Sequence, residues 1–233
     1  MQDTAVQIAS NINCVRERIA NAAQQSGRKA AEIRIICVTK NFPAHIIRYA
    51  LENGAGIFGE NRVQELLDKY DAIHPEQWHL IGHLQTNKVK YIIDKVSLIQ
   101  SVDSTRLLEE IERQAQKHGV TANVLLQVNT SGEESKFGAS PDEIYRLCEK
   151  AAELKHVKVS GLMTIAPLCV SEVATRLHFA NTRRLYLDIA NRKYDNVSME
   201  CLSMGMSADF ETAILEGSNM VRVGSAIFGK RIY

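Results

Sequence analysis

The sequence has few features of a secreted, membrane-spanning or metal-binding protein. Its five cysteines are an odd number, lie far apart and form no Cys-x-x-Cys or Cys/His spacing, so we predict reduced thiols and no metal site. No apolar run reaches the roughly 18 residues that a membrane span needs. The N-terminus lacks the basic start and apolar block of a signal peptide. We therefore expect a cytoplasmic protein that does not associate with membranes.

An excess of charge of either sign is also lacking. Lys and Arg number 28 against 27 Asp and Glu, which gives a formal net charge of +1. A balanced charge creates no broad field to attract nucleic acid, so we predict no nucleic-acid partner, although a single small anion is compatible with it. Hydrophobic residues make up 45% of the chain, enough for one core, and we expect a single domain over residues 1–233.

Short apolar runs alternate with longer helical patterns along the chain. Such alternation predicts a (β/α)8 barrel, with a doubly wound open sheet as the second choice. A helical stripe near the N-terminus predicts one extra helix covering the bottom or side of the barrel. The eight predicted strands are residues 33–40, 56–60, 78–82, 98–103, 123–129, 157–164, 198–204 and 220–224.

Two of the helical patterns carry clear end signals. Gly119 follows an apolar face that begins at Leu107, and a glycine there predicts the end of a helix. Ser140 followed by Pro141 predicts the start of another helix, because serine is a good N-cap and proline fits the first helical position.

The polar residues of interest follow the predicted strands. Lys40 ends the first strand, and Asn61 and His83 follow the second and third. In a (β/α)8 barrel the loops at the carboxyl ends of the strands build the functional site. A lysine at the end of an apolar strand is either a snorkelling surface charge or a nucleophile.

The loops after the last two strands predict a phosphate-binding site. Ser203, Gly205 and Ser207 lie between strand seven and a helix predicted to start near Ser207, and Gly224 and Ser225 follow strand eight. Small residues let backbone N–H groups approach an anion. The alternative is that both loops are ordinary tight turns.

Arg222 lies inside the last strand, where a charged side chain needs a partner. It could pair with Glu60 or Glu200, or it could donate to a ligand. A lysine amine, an arginine and a phosphate site together favour a phosphorylated aldehyde held as a Schiff base, of which pyridoxal 5′-phosphate (PLP) is the foremost example. An aldolase-type Schiff base and a plain phosphosugar site remain as alternatives.

Several motifs also resemble one family in the same order. The chain is similar to the YggS/PROSC family of PLP homeostasis proteins from about residue 5 to its C-terminus. The shared motifs are VTK at 38–40, FGENRVQE at 58–65, WHLIGHLQTNK at 78–88, SVDS at 101–104, GLMTIAP at 161–167, LSMGMSADF at 202–210 and VRVGSAIFG at 221–229.

The resemblance implies a barrel like the N-terminal domain of alanine racemase, which is the fold-type III PLP architecture without the C-terminal β-domain. It implies that Lys40 holds PLP as a Schiff base and that Arg222 faces the pyridine nitrogen. It also implies that Asn61 and His83 line the pocket beside the ring, and that the phosphate is held by Ser203, Gly205, Gly224 and Ser225.

The resemblance further implies a non-catalytic role in intracellular PLP homeostasis. An arginine beside the pyridine nitrogen leaves that nitrogen unprotonated, so the ring is a weak electron sink. A second acid/base, which racemases of this type take from the added β-domain, is not expected here. The partners implied are PLP and apo forms of PLP-dependent enzymes, and we expect a monomer. A PLP-dependent amino-acid racemase of low activity is the alternative.

Overall fold

The eight predicted strands are all present and form a closed parallel barrel in chain order, which confirms the (β/α)8 fold. The structure is a computed structural model that describes residues 2–130, 137–167 and 171–229. The strands are β1 (Arg34–Val38), β2 (Ile57–Glu60), β3 (Gln77–Leu80), β4 (Leu98–Val102), β5 (Ala122–Gln127), β6 (Val157–Met163), β7 (Val197–Met206) and β8 (Met220–Val223).

Helices alternate with these strands and surround them. They are α1 (Gln2–Gln25), α2 (Ala44–Glu52), α3 (Val63–Tyr70), α4 (Thr105–His118), α5 (Pro141–Ala152), α6 (Glu172–Arg192), α7 (Phe210–Leu215) and α8 (Ser225–Phe228). Short 3-10 helices at Ala30–Glu32 and Thr86–Tyr91 complete the elements described. Within the described ranges no helix is both long and apolar enough to cross a membrane.

The predicted helix ends are confirmed for α4 and α5. Gly119 follows α4 in the left-handed conformation, with φ 66°, which glycine adopts without a steric penalty. Ser140 caps α5: its hydroxyl oxygen accepts the backbone N–H of Glu143, whose side chain accepts the N–H of Ser140 in return.

The extra N-terminal helix covers the side of the barrel. The stripe of Ile8, Ile12, Val15 and Ile19 is buried, and α1 packs on α2, α7 and α8. The Asn11 side chain donates to the carbonyl of Ile227 at 2.8 Å. The first helix therefore supports the last element of the barrel, next to the ends of β1 and β8.

Apolar residues form two separate layers. The larger layer fills the space between strands and helices. The smaller one lies inside the barrel and consists of Ile36, Leu98, Leu125, Met163, Cys201 and Met220. The rest of the interior is polar, and it includes the buried side chains of His79, Gln100, Ser203 and Arg222.

The cysteines of the described ranges are free thiols, as expected, and Cys169 lies outside those ranges. They are Cys14, Cys37, Cys148 and Cys201. Burial raises the pKa of Cys37 to about 12, so its thiol stays protonated near neutral pH.

Strand β7 differs from its prediction, and the loop after it shifts accordingly. It runs to Met206 rather than to residue 204, and its pairing with β8 changes register between Ser203 and Met206. Residues 207–209 form a turn, so α7 begins at Phe210, three residues after the predicted start near Ser207.

Two glycines with positive φ offer a matched test of this packing. A Cβ on Gly161 (φ 147°) would lie 1.8 Å from the Cys201 carbonyl oxygen, whereas a Cβ on Gly119 would meet no atom within 4 Å. We expect Gly119→Ala to lower the free energy of unfolding by about 1 kcal/mol, from backbone strain alone. Gly161→Ala should lower the free energy of unfolding by about 3 kcal/mol or more, because the added methyl group would also force β6 and β7 apart. Urea unfolding measures both values, and equal losses would contradict the described β6–β7 contact.

Candidate cofactor site

Lys40 lies at the carboxyl end of the barrel, two residues beyond β1. Alternate residues of a strand face the same side, and Ile36 and Val38 face the interior. Lys40 continues this inward row beyond the end of the strand and lines a cavity at the mouth of the barrel.

The mouth cavity has the size of a small-molecule site. Its volume is about 260 Å³, close to the lower end of the range of ~300–1,000 Å³ for ligand pockets. The residues that line it are Val38, Lys40, Asn61, Ile81, Ile165, Met206, Ser207, Ala208, Arg222, Gly224 and Ser225. Apolar walls thus surround two cations, an amide and two hydroxyl groups.

Arg222 is a buried cation that points from β8 into the barrel. Only 4% of its surface is exposed. One guanidinium nitrogen donates to the Ser203 hydroxyl oxygen at 2.6 Å and another donates to the Thr164 carbonyl oxygen at 2.7 Å. Burial lowers the pKa of Arg222 to about 10, although the charge of Asp209 opposes this shift, so the side chain remains protonated at neutral pH.

The two carboxylates considered as alternative partners of Arg222 pair elsewhere. Glu60 lies 2.6 Å from the ammonium group of Lys69, and Glu200 lies 3.9 Å from that of Lys158. Within the described part of the chain, Arg222 therefore forms an ion pair with neither of these carboxylates, and it lines the mouth cavity.

A chain of hydrogen bonds connects Arg222 to the far end of the barrel. Ser203 donates to Gln100 Oε1 at 2.8 Å, which leaves the amide nitrogen of Gln100 to donate to His79 Nδ1 at 3.0 Å. The other ring nitrogen of His79 then carries a proton and donates to Gln77 Oε1 at 3.0 Å. Each side chain in this series has one orientation in which it forms hydrogen bonds with both of its neighbours.

The histidine of this chain is neutral. Burial, with the nearby charge of Arg34, lowers the pKa of His79 to about 3. A protonated His79 would have to donate from Nδ1 to the amide nitrogen of Gln100, which offers no acceptor.

Ser207 connects the loops after β7 and β8. Its hydroxyl oxygen accepts the backbone N–H groups of Gly224 at 3.2 Å and Ala226 at 3.3 Å. The amides of Gly224 and Ala226 therefore converge on one oxygen atom beside the cavity. The carboxylate of Asp209 accepts the N–H of Met206, which fixes the other side of the turn at 207–209.

The structure brings together five of the eight site residues predicted from the sequence. These are Lys40, Asn61, Arg222, Gly224 and Ser225, and all of them line the mouth cavity. The other three, Ser203, Gly205 and His83, are not among its lining residues.

Each of the three has another environment. Ser203 is fully buried below the cavity, between Gln100 and Arg222. A Cβ on Gly205 (φ 89°) would lie 2.6 Å from that of Ala213, so its contacts are with α7. His83 stacks on Phe137, with ring centroids 4.3 Å apart, and its Nδ1 lies 3.9 Å from Asp103.

Ser207 lies in a loop that the sequence predicts, but it is not one of the eight predicted site residues, and most of the apolar lining is not predicted either. The lining residues are Val38, Ile81, Ile165, Met206 and Ala208. Strand alternation predicts two of them, because Val38 precedes Lys40 by two residues and Ile81 follows the inward His79 by two. The role of Ser207 depends on the register change in β7, for which the sequence offers no signal.

The fold and this site define the chain as a barrel of the alanine racemase N-terminal type. The family model "Alanine racemase, N-terminal domain" matches residues 7–231. An alanine racemase of Clostridium difficile superposes with a TM-score of 0.77 over 97% of this chain and 57% of the racemase, at 17% identity, which shows the shared fold.

Two nearer relatives identify the group within that family. The pyridoxal phosphate homeostasis protein of Aquifex aeolicus is 44% identical over 221 residues, which is 94% of this chain and 96% of the relative. The structure of PipY from Synechococcus elongatus with PLP bound has a TM-score of 0.85 and 33% identity, and it covers 96% of this chain and 100% of PipY. The chain belongs to the pyridoxal phosphate homeostasis protein family.

The neutral state of His79 is testable by pH. The pKa of His79 in the folded protein, about 3, lies below the ordinary histidine value of 6.5. Between pH 3 and pH 6.5, this side chain therefore binds a proton in the unfolded chain but not in the folded one. The free energy of unfolding should therefore fall as the pH drops from 6.5 towards 3, by up to about 1.4 kcal/mol per pH unit from this residue. His79→Gln should reduce that slope.

Side-chain ¹⁵N NMR gives the direct measurement. We expect the His79 resonances to stay those of the Nε2–H neutral tautomer from pH 8 to pH 5. Titration of this ring near pH 6 would contradict the hydrogen-bond chain.

Proposed function

We propose that this protein binds PLP covalently through Lys40 and serves in intracellular PLP homeostasis. The observation that carries the proposal is the shared cavity: Lys40, the buried Arg222 and the loops around Ser207 and Gly224 line one space at the mouth of the barrel. These are the groups that an aldehyde, a pyridine nitrogen and a phosphate require.

Lys40 supplies the nucleophile in this proposal. Lys40 would hold the cofactor through a C=N bond between its amine nitrogen and the aldehyde carbon, with the aldehyde oxygen released as water. The apolar side chains of Val38 and Ile81 border the same cavity. When bound, PLP supplies the aldehyde and an electron-accepting ring.

Arg222 favours binding of the cofactor over catalysis on an amine that is attached to it. The guanidinium offers only donors, and its pKa of about 10 keeps it protonated at neutral pH. A pyridine nitrogen that faces it accepts a hydrogen bond and stays without a proton, which makes the ring a weak electron sink.

The phosphate group is assigned to the loops after β7 and β8. Two backbone N–H groups already converge there on the hydroxyl oxygen of Ser207. A phosphate oxygen requires the same donors, with Ser225 beside them. The proposal therefore takes Ser207, Gly224 and Ser225 as the phosphate residues, with Ser203 supporting Arg222 from below.

The relatives support a homeostasis role. Curated relatives that cover nearly the whole chain are named pyridoxal phosphate homeostasis proteins, and the PipY structure was determined with PLP bound. A single domain over residues 1–233, a monomeric and cytoplasmic state, and transfer of PLP to apo-enzymes complete the proposal.

The first test replaces the nucleophile. Lys40→Ala should abolish the visible absorbance that appears when the protein is mixed with PLP, since no C=N bond can form. Borohydride reduction followed by mass spectrometry should locate the added mass on Lys40 in the unmodified protein. Lys117→Ala, which removes an exposed lysine from α4, is the control and should behave like the unmodified protein. An unmodified Lys40 after reduction would overturn the proposal.

A second test addresses donation of the cofactor. The PLP-loaded protein should restore activity to an apo form of a PLP-dependent enzyme in the presence of a phosphatase that destroys free PLP, because the carried aldehyde is sequestered. Free PLP at the same concentration is the control and should restore less activity. Equal reactivation by free PLP and by the loaded protein would exclude a donor role.

A further inference from the structure

Lys40 is presented by a tight turn whose shape depends on one residue. The carbonyl of Thr39 accepts the N–H of Phe42 at 3.1 Å, which closes a β-turn over residues 39–42. Asn41, the third residue of that turn, has φ 65°. Type II turns require a positive φ at this position and favour glycine or asparagine there. Lys40 is the second residue, so its direction depends on the peptide plane that it shares with Asn41.

Glu65 fixes that peptide plane. Its Oε1 accepts the backbone N–H of Asn41 at 2.7 Å, and this N–H belongs to the peptide bond between Lys40 and Asn41. Type I and type II turns differ mainly by a rotation of this central plane through about half a turn. The carboxylate of Glu65, bound to the N–H of Asn41, therefore favours one of these two turn types over the other. Its hydrogen bond is charge-assisted, and such bonds are stronger than those between neutral groups.

A buried ion pair holds the first residue of the turn. Lys69 Nζ lies 2.6 Å from Glu60 Oε1 and donates to the Thr39 carbonyl oxygen at 2.9 Å. The hydroxyl of Thr39 donates to the same Glu60 oxygen at 2.6 Å. The Lys69 side chain is only 7% exposed and that of Glu60 is fully buried, so breaking the pair would leave a charge largely shielded from water. Lys69 also lies 3.9 Å from Glu65, which joins the two contacts into one cluster.

We infer that Glu65, supported by the Glu60–Lys69 pair, is a positioning residue that directs the Lys40 amine towards an aldehyde in the mouth cavity. The inference rests on the proposed function. Glu65 contacts the backbone of the turn and does not act as an acid or base: the N–C bond forms at Lys40, and the carbonyl oxygen leaves as water. The cluster thus acts through orientation, which strongly affects the rate and equilibrium of a covalent step.

If Glu65 positions Lys40, its loss should affect covalent and non-covalent ligand binding differently. PLP needs Lys40 in a defined orientation, whereas pyridoxine 5′-phosphate has the same ring and phosphate but no aldehyde to react with the amine. Loss of Glu65 should weaken only the binding that depends on the C=N bond. A merely structural role would weaken the binding of both ligands.

The experiment compares Glu65→Ala with Asp68→Ala in the full chain. Asp68 lies on the same helix, is exposed and accepts a hydrogen bond from Gln64, so its removal takes away a carboxylate of α3 without touching the turn. Absorbance titration measures Schiff base formation with PLP, and calorimetry measures the affinity for pyridoxine 5′-phosphate. We expect Glu65→Ala to weaken PLP binding roughly tenfold or more, which corresponds to loss of one charge-assisted hydrogen bond.

The affinity of Glu65→Ala for pyridoxine 5′-phosphate should stay within about twofold of that of the unmodified protein, and Asp68→Ala should match the unmodified protein with both ligands. Glu65→Gln keeps an oxygen acceptor for Asn41 and should recover most of the PLP binding. Equal weakening of both ligands, or no weakening of either, would overturn the inference. Absence of a Schiff base in both the unmodified protein and Asp68→Ala would instead mean that the proposed function had failed.

Discussion

The buried guanidinium of Arg222 is the constraint on which the interior of this barrel depends. Burial lowers the pKa of Arg222 to about 10, well below the ordinary value of an arginine, so burying its charge has a free-energy cost. Two hydrogen bonds to a charged donor contribute about 1.5–3 kcal/mol each and so oppose this cost. Ser203 and Thr164 accept these bonds. The Ser203 oxygen is oriented to accept because its own hydroxyl donates a hydrogen bond to Gln100. One cation thus explains why a column of polar side chains lies beside the small apolar layer inside this barrel, where branched apolar layers are usual.

The sequence predicts the frame of the molecule well because the frame follows local rules. The eight apolar runs form the eight strands, with the end of β7 as the main difference, and the glycine after α4 and the capping serine before α5 lie where the patterns place them. Lys40 is predictable for the same reason. It continues the row of inward-facing residues of β1 beyond the end of the strand, so its charged side chain lies at the mouth of the barrel. Arg222 follows from the same argument on β8.

The part of the site that local rules do not predict is the loop after β7. A register change between Ser203 and Met206 extends the strand, so that Ser203 stays within the barrel and Ser207 reaches the cavity. Both serines are small and precede a helix, and nothing in the residue types distinguishes them. His83 is similar, since its ring lies on Phe137, a contact between loops far apart in sequence. Such positions depend on tertiary pairing rather than on periodicity.

The two cations of the mouth cavity are held in different ways, and the difference fits a protein that keeps an aldehyde cofactor. Arg222 is fixed by neutral oxygens and stays charged, so it can only donate. Lys40 is carried by a turn that is bonded to an acidic side chain on each side, through the side-chain hydroxyl of Thr39 and the backbone N–H of Asn41. Glu60 and Glu65 contact the turn, whereas the carboxylate whose charge acts on Arg222 is that of Asp209. Under the proposed function, this arrangement would orient the amine for bond formation, and Arg222, which can only donate, would leave the cofactor ring a poor electron sink.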